Sequence, residues 1–158
     1  MYIWLYKFSN MNNLLNSIAP CGLNCEKCFA RTGGSIQVLS KELQDALGNF
    51  DVYAERFTEL ISEPIFKEYS SFKKMLAHFA KGSCQGCRNE QCKLFKQCGV
   101  RTCHQEKKIN FCFECKEFPC EKTNFDTHLQ HRWIKINERI RTIGLIKYYE
   151  EIKDLARY

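Results

Sequence analysis

The residues best suited to chemistry in this chain are its eleven cysteines. Cys21, Cys25 and Cys28 form CGLNCEKC, a C-x3-C-x2-C triad. A second series runs Cys84-x2-Cys87, then Cys92, Cys98-x4-Cys103 and Cys112-x2-Cys115-x4-Cys120. The tight turn of a C-x2-C pair lets both sulfurs face one ion, at roughly 2.3 Å for zinc, and a second pair completes the tetrahedron. Repeated in one chain, these spacings predict metal sites made of thiolates. The odd cysteine count, with no secretion signal read in MYIWLYKF, argues against a disulfide framework and for ligands in a reducing cytoplasm. The expected ligands are Cys21, Cys25, Cys28, Cys84, Cys87, Cys98, Cys103, Cys112, Cys115 and Cys120. Loop-closure entropy favours Cys84, Cys87, Cys98 and Cys103 around one ion. The N-terminal triad would then meet Cys112, Cys115 and Cys120 across the fold. Cys92 is left as a non-ligating spare, and His104, directly after Cys103, as a substitute ligand.

The expected cofactor is zinc, one or two ions, mainly structural. Thiolate spacing alone does not separate zinc from iron–sulfur. A [4Fe–4S] cluster in a redox or radical-type enzyme or electron carrier is therefore the alternative, shielded by Phe111, Phe113 and Phe118. The triad spacing also occurs in radical S-adenosylmethionine enzymes, but their barrel needs about 200 residues of alternating strand and helix. This chain has 158 and shows no such alternation. With no P-loop, dinucleotide fingerprint, H-E-x-x-H or nucleophile elbow, no catalytic residue is assigned.

Charge gives a second alternative. The stretch 81–110 carries seven basic residues against Glu90 and Glu106, most of the formal +6. Such a patch suggests a zinc-ribbon-like nucleic-acid-binding module. However, an ion with four thiolates carries a net −2, so local compensation accounts for much of the patch. Regular basic–aromatic interleaving is also missing. A protein or small-molecule partner is preferred.

The elements that must hold these thiols are helical. Ile36, Leu39, Leu43 and Leu47 make one stripe, stopped by Gly48. Tyr53, Phe57 and Leu60 make a second, broken at Glu63-Pro64. Ile65, Tyr69, Phe72, Leu76 and Phe79 continue to Gly82, and Trp133, Ile136, Ile140 and Ile143 to Gly144. Leu145, Tyr148, Ile152 and Leu155 make the last. We read these stripes as core, and His78, His128 and His131 as structural or solvated. Strand is confined at most to the first eight residues. The expected fold is mostly α: a small helical domain with an irregular cysteine-rich metal-binding segment, zinc-ribbon or knuckle-like. Residues 1–17 are read as an accessory leader, with a second possible start at Met11, and 18–158 as one domain. No apolar run approaches ~18 residues, so no membrane span is expected.

The ordered motifs APCGLNCEKC, CQGC, CGVRTC and FCFECKEFPCEK, with the tail HRWIKINERIRTIGLIKYYEEIKDLARY, resemble a known family. It is the small cysteine-rich prokaryotic proteins grouped as domain of unknown function 3795. The resemblance runs from Ile18 to the C-terminus and implies a metal-binding fold, with zinc, and no established activity. Cys92 is not part of the associated pattern. The functional expectation is an uncharacterised cytoplasmic metal-binding protein. Its metal would organise a partner surface, or a pocket lined by Trp133, Tyr148 and Tyr149.

Overall fold

The computed structural model describes residues 13–158, which are mostly helical. Most of the expected leader, and with it the possible strand in the first eight residues, lies outside the described residues. Residues 13–17 are helical. The chain forms two compact units: Phe29–Ser83, and Met1–Cys28 together with Cys84–Tyr158. The stretch read as one domain thus contributes to both.

In Phe29–Ser83 the helices are α1 (Ser35–Leu47), α2 (Asp51–Leu60) and α3 (Tyr69–Lys81), with a 3-10 segment at Pro64–Glu68. The glycine stops hold: Gly48 and Gly82 cap α1 and α3. The face of α1 differs from its stripe. Leu39 is 62% and Leu43 42% exposed, while Gln37 and Ser40 are buried. Gln37 explains this, because its amide oxygen accepts from Gly33 N at 2.6 Å. Its Nε2 donates to Ala80 O and Lys81 O at 3.2 and 2.8 Å. One side chain thereby satisfies carbonyls that the end of α3 leaves without partners. Between α2 and α3, Phe50 meets Tyr69 at 5.1 Å and Phe57 meets Phe66 at 5.6 Å between ring centroids.

The other unit contains α4 (Val100–Glu106), a 3-10 turn at Cys112–Glu114, α5 (Thr127–Ile143) and α6 (Leu145–Ile152). Asp126 caps α5 by accepting from Leu129 N at 2.9 Å. The helix buries Leu129, Trp133, Asn137 and Ile140, one face at spacings of four, four and three. Strand among the described residues is limited to an isolated bridge, Ile18 with Asn24. Asn137 is fully buried and joins three segments. Its Nδ2 donates to Cys21 O and Trp133 O, each at 2.9 Å. Its Oδ1 accepts from Phe113 N at 3.1 Å. No helix among the described residues is long and apolar enough to cross a membrane.

Candidate metal centre

The thiols are positioned first by the turn that carries the triad. Ala19 N donates to Leu23 O at 2.9 Å, and Cys25 N to Ser17 O at 2.6 Å. Gly22 sits at φ +86°, where a Cβ would run into Ile136 Cγ2 on α5. Glycine is thus required here by both conformation and space. A second close approach is at Gly99, where a Cβ would strike Lys122 O. That contact sets the start of α4 against the segment following Cys120.

Two small cavities collect most of the sulfurs. The first, about 30 Å³, is lined by Cys21, Cys25, Cys87, Cys92 and Cys98, with Phe95, Phe125 and Arg101 among its other walls. Hydrogen bonds join the Cys87 thiol to Cys25 and Cys92. These bonds hold the Cys87 proton in place and raise its pKa. Cys92 is pushed down by the bond from Cys87 and by the backbone amides of Phe95 and Leu94. Within this group Cys92 is the sulfur made ready to ionise. Burial raises Cys21 and Cys98.

The second cavity, about 20 Å³, is lined by Cys103, His104, Cys112, Cys115 and Cys120, and closed by Phe118 and Trp133. Burial pushes the Cys112 thiol up to about 12, opposed by the Trp133 indole N–H. That indole is 1% exposed and fixed edge-on to Phe118 at 4.7 Å. Its Nε1 nevertheless completes no hydrogen bond. His104 Nδ1 lies 3.3 Å from Ile109 O, while its Nε2 is buried without a partner. Lys107 Nζ reaches Cys115 Sγ at 3.4 Å and pairs with Glu117.

Turn geometry aims backbone amides at the sulfurs. Gly86 N donates to Cys84 Sγ at 3.3 Å, and Glu117 N to Cys115 Sγ at 3.4 Å. Cys21, Cys92 and Cys98 receive the same help from Leu23, Leu94 and Val100. In each case the donor is two residues on, and at Cys21, Cys84 and Cys98 these amides oppose the burial that raises the thiol. Arg88 adds charge from within. Its guanidinium donates to Leu15 O, Ile18 O and Asn110 O at 2.6, 3.3 and 3.0 Å and faces Cys25, Cys21 and Cys112. Burial lowers its pKa.

This grouping differs from the one drawn by sequence distance. Cys98 and Cys103, expected together, line different cavities, and Cys103 joins Cys112, Cys115 and Cys120. Cys92, set aside as a spare, lines the first cavity with Cys25 and Cys87. Cys28 and Cys84 line neither. Both are buried. Trp133 and Tyr148 line separate cavities, and Tyr149 donates to Glu26 Oε2 at 3.0 Å, so these aromatics do not form the expected common pocket. Arg88 and Arg101 belong to the basic stretch expected to compensate thiolate charge, but the sequence did not say which of its basic residues reach the sulfurs. No disulfide is present among the described cysteines. Among the described residues, no three His, Cys, Asp or Glu side chains enclose an ion as they stand. The donor set still suits a thiophilic cation. The wall of each cavity includes a residue with a buried donor nitrogen lacking a partner, Trp133 Nε1 at one and Arg101 Nε at the other. Each costs roughly 1–3 kcal/mol unless an acceptor such as a thiolate arrives.

The sequence profile of the family described as Protein of unknown function (DUF3795) matches residues 17–125, and the chain belongs to that family. The match takes in every cysteine and stops short of α5. No curated protein and no solved structure matches the chain.

Proposed function

We propose that this member of the family is a zinc-binding protein of a reducing cytoplasm, with one ion for each thiol cavity. The observation that carries the reading is the convergence of cysteines on two atom-sized spaces, with amide N–H groups already turned on their sulfurs. Cavities of about 20 and 30 Å³ suit a single ion. Local C-x2-C pairs completed by further thiols suit a closed tetrahedral zinc site, which favours zinc over [4Fe–4S]. Cys25, Cys87, Cys92 and Cys98 would hold one ion. Cys112, Cys115 and Cys120, with a further donor from Cys103 or His104, would hold the other. The side chains must draw inward by rotation to close each tetrahedron. Zinc there is structural: it replaces hydrophobic core where the chain has little regular structure. The organised surface would then serve a protein or small-molecule partner.

The test is elemental analysis of protein purified without oxygen. A colourless protein with about two zinc per chain is expected. A brown protein absorbing near ~400 nm, carrying iron and acid-labile sulfide, would replace zinc by the cluster.

A further inference from the structure

The second cavity offers five donors where zinc takes four. Two of them, Cys103 and His104, are consecutive on α4, so they diverge by about 100° around the helix axis. They do not approach one point equally well. The imidazole has the stronger claim. Its Nδ1 sits at hydrogen-bond distance from Ile109 O, a carbonyl that can only accept, so Nδ1 carries the proton. In the neutral ring Nε2 is then the acceptor nitrogen, and it is buried without a hydrogen-bond partner. A backbone carbonyl on one ring nitrogen and an empty lone pair on the other is the arrangement that orients a metal-bound histidine. Cys103 makes no such demand, because an unused thiol is a weak donor and acceptor that tolerates a half-buried position.

We propose that His104, through Nε2, is a metal ligand at this cavity, completing a Cys3His set with Cys112, Cys115 and Cys120. Cys103 stands beside the ion as an unligated thiol. The Trp133 N–H becomes the donor to the Cys112 thiolate, so the ion leaves neither buried nitrogen without a partner. The two centres therefore differ in chemistry, four thiolates in one and three with an imidazole in the other. This rests on the metal reading above.

The full-length chain, stripped and reloaded anaerobically with Co2+, separates the possibilities by its sulfur-to-cobalt charge-transfer bands. Wild type is expected to bind two equivalents with seven thiolate ligands in all. His104→Ala is expected to lose one equivalent or shift that centre to four thiolates, with Cys103→Ser unchanged. The opposite pattern, an unchanged His104→Ala and a Cys103→Ser that loses an equivalent, overturns the assignment while leaving the metal reading intact. Wild type taking up no tetrahedral cobalt overturns both. Long-range 1H–15N NMR of the zinc-loaded wild type needs no variant: His104 should show a protonated Nδ1 and a metal-shifted Nε2. An Nε2 resonance identical with and without zinc would sink the proposal.

Discussion

The two units build their interiors differently. Phe29–Ser83 contains no cysteine, and its basic and acidic residues cancel at seven each. The remainder holds all eleven cysteines and the whole formal charge of +6. In the helical unit the buried side chains are small or few, Ala30, Ala54, Leu76 and Ala80 with Gln37 and Ser40. Large apolar residues such as Leu39, Leu60, Ile65 and Met75 stay exposed. In the cysteine unit Trp133, Asn137 and Ile140 of α5 are fully buried, together with Ile18 of the segment leading to the triad. One region forms by helix periodicity and leaves apolar surface over. The other sets α5 against irregular cysteine-bearing segments and concentrates burial, positive charge and sulfur in one unit. A region of that second kind is the one expected to lean on a metal.

Removing the metal is the strongest way to break this contrast. Structural zinc contributes an apparent ~10–16 kcal/mol near neutral pH. Anaerobic chelation should therefore abolish hydrogen-exchange protection at Leu129, Trp133, Asn137 and Ile140 and spare α1 and α3. Loss of protection in both units at the same chelator concentration would mean that they share one stability. Next in size is Asn137→Leu. It leaves Cys21 O, Trp133 O and Phe113 N without the amide that joins them. A loss of about 3 kcal/mol is expected from unpaired buried groups, read by denaturant unfolding of the metal-loaded protein. A loss under about 1 kcal/mol would show that the thiol centre, and not this amide, holds the segments together.

The same contrast explains what could be read from the chain alone. Helices end at Gly48, Gly82 and Gly144 as their residues indicate, because those stops are local. The buried face of α1 was not legible. A glutamine in a helical repeat looks like surface until Ala80 and Lys81, 43 and 44 residues away, supply the carbonyls it serves. Helix α4 was missed because seven residues, VRTCHQE, show no apolar repeat. The cysteine motifs were plain, yet their grouping was not. Loop-closure entropy favours near neighbours only weakly. Here the contact of Gly99 with Lys122 brings α4, and with it Cys103, toward Cys120 instead.

Smaller effects sharpen the account of the helical unit. Leu76 is 7% exposed, and Leu76→Ala should cost about 2 kcal/mol, the low end for a core this thin. Leu39→Lys, at a position 62% exposed, should stay within about 0.5 kcal/mol. Paired urea melts of the two variants test the difference directly. If Leu39→Lys is the more damaging, the exposed stripe is covered in solution, and light scattering of the same samples would report whether a second copy covers it.

The smallest expected effect lies at the junction of α5 and α6, where Arg139 pairs with Glu151 through two guanidinium nitrogens, Nε and Nη2, with Nε 3.0 Å from Oε2. Arg139 holds the Glu151 carboxyl below its usual range. A depressed carboxylate adds stability that is present above the unfolded-state pKa and is lost as pH falls through the folded one. Its contribution should thus be complete at neutral pH and vanish in acid. Both partners are about half exposed, however, so water and salt screen the attraction, and the entropy of ordering two long side chains offsets most of it. Glu151→Gln should therefore shift the neutral-pH Tm at the limit of detection, and the shift should vanish in ~1 M salt, where the screening length falls to about 3 Å. A clear loss that survives such salt would mean the pair acts by geometry, clamping α6 onto α5. The cysteine unit would then depend on its C-terminal helices as well as on its sulfurs.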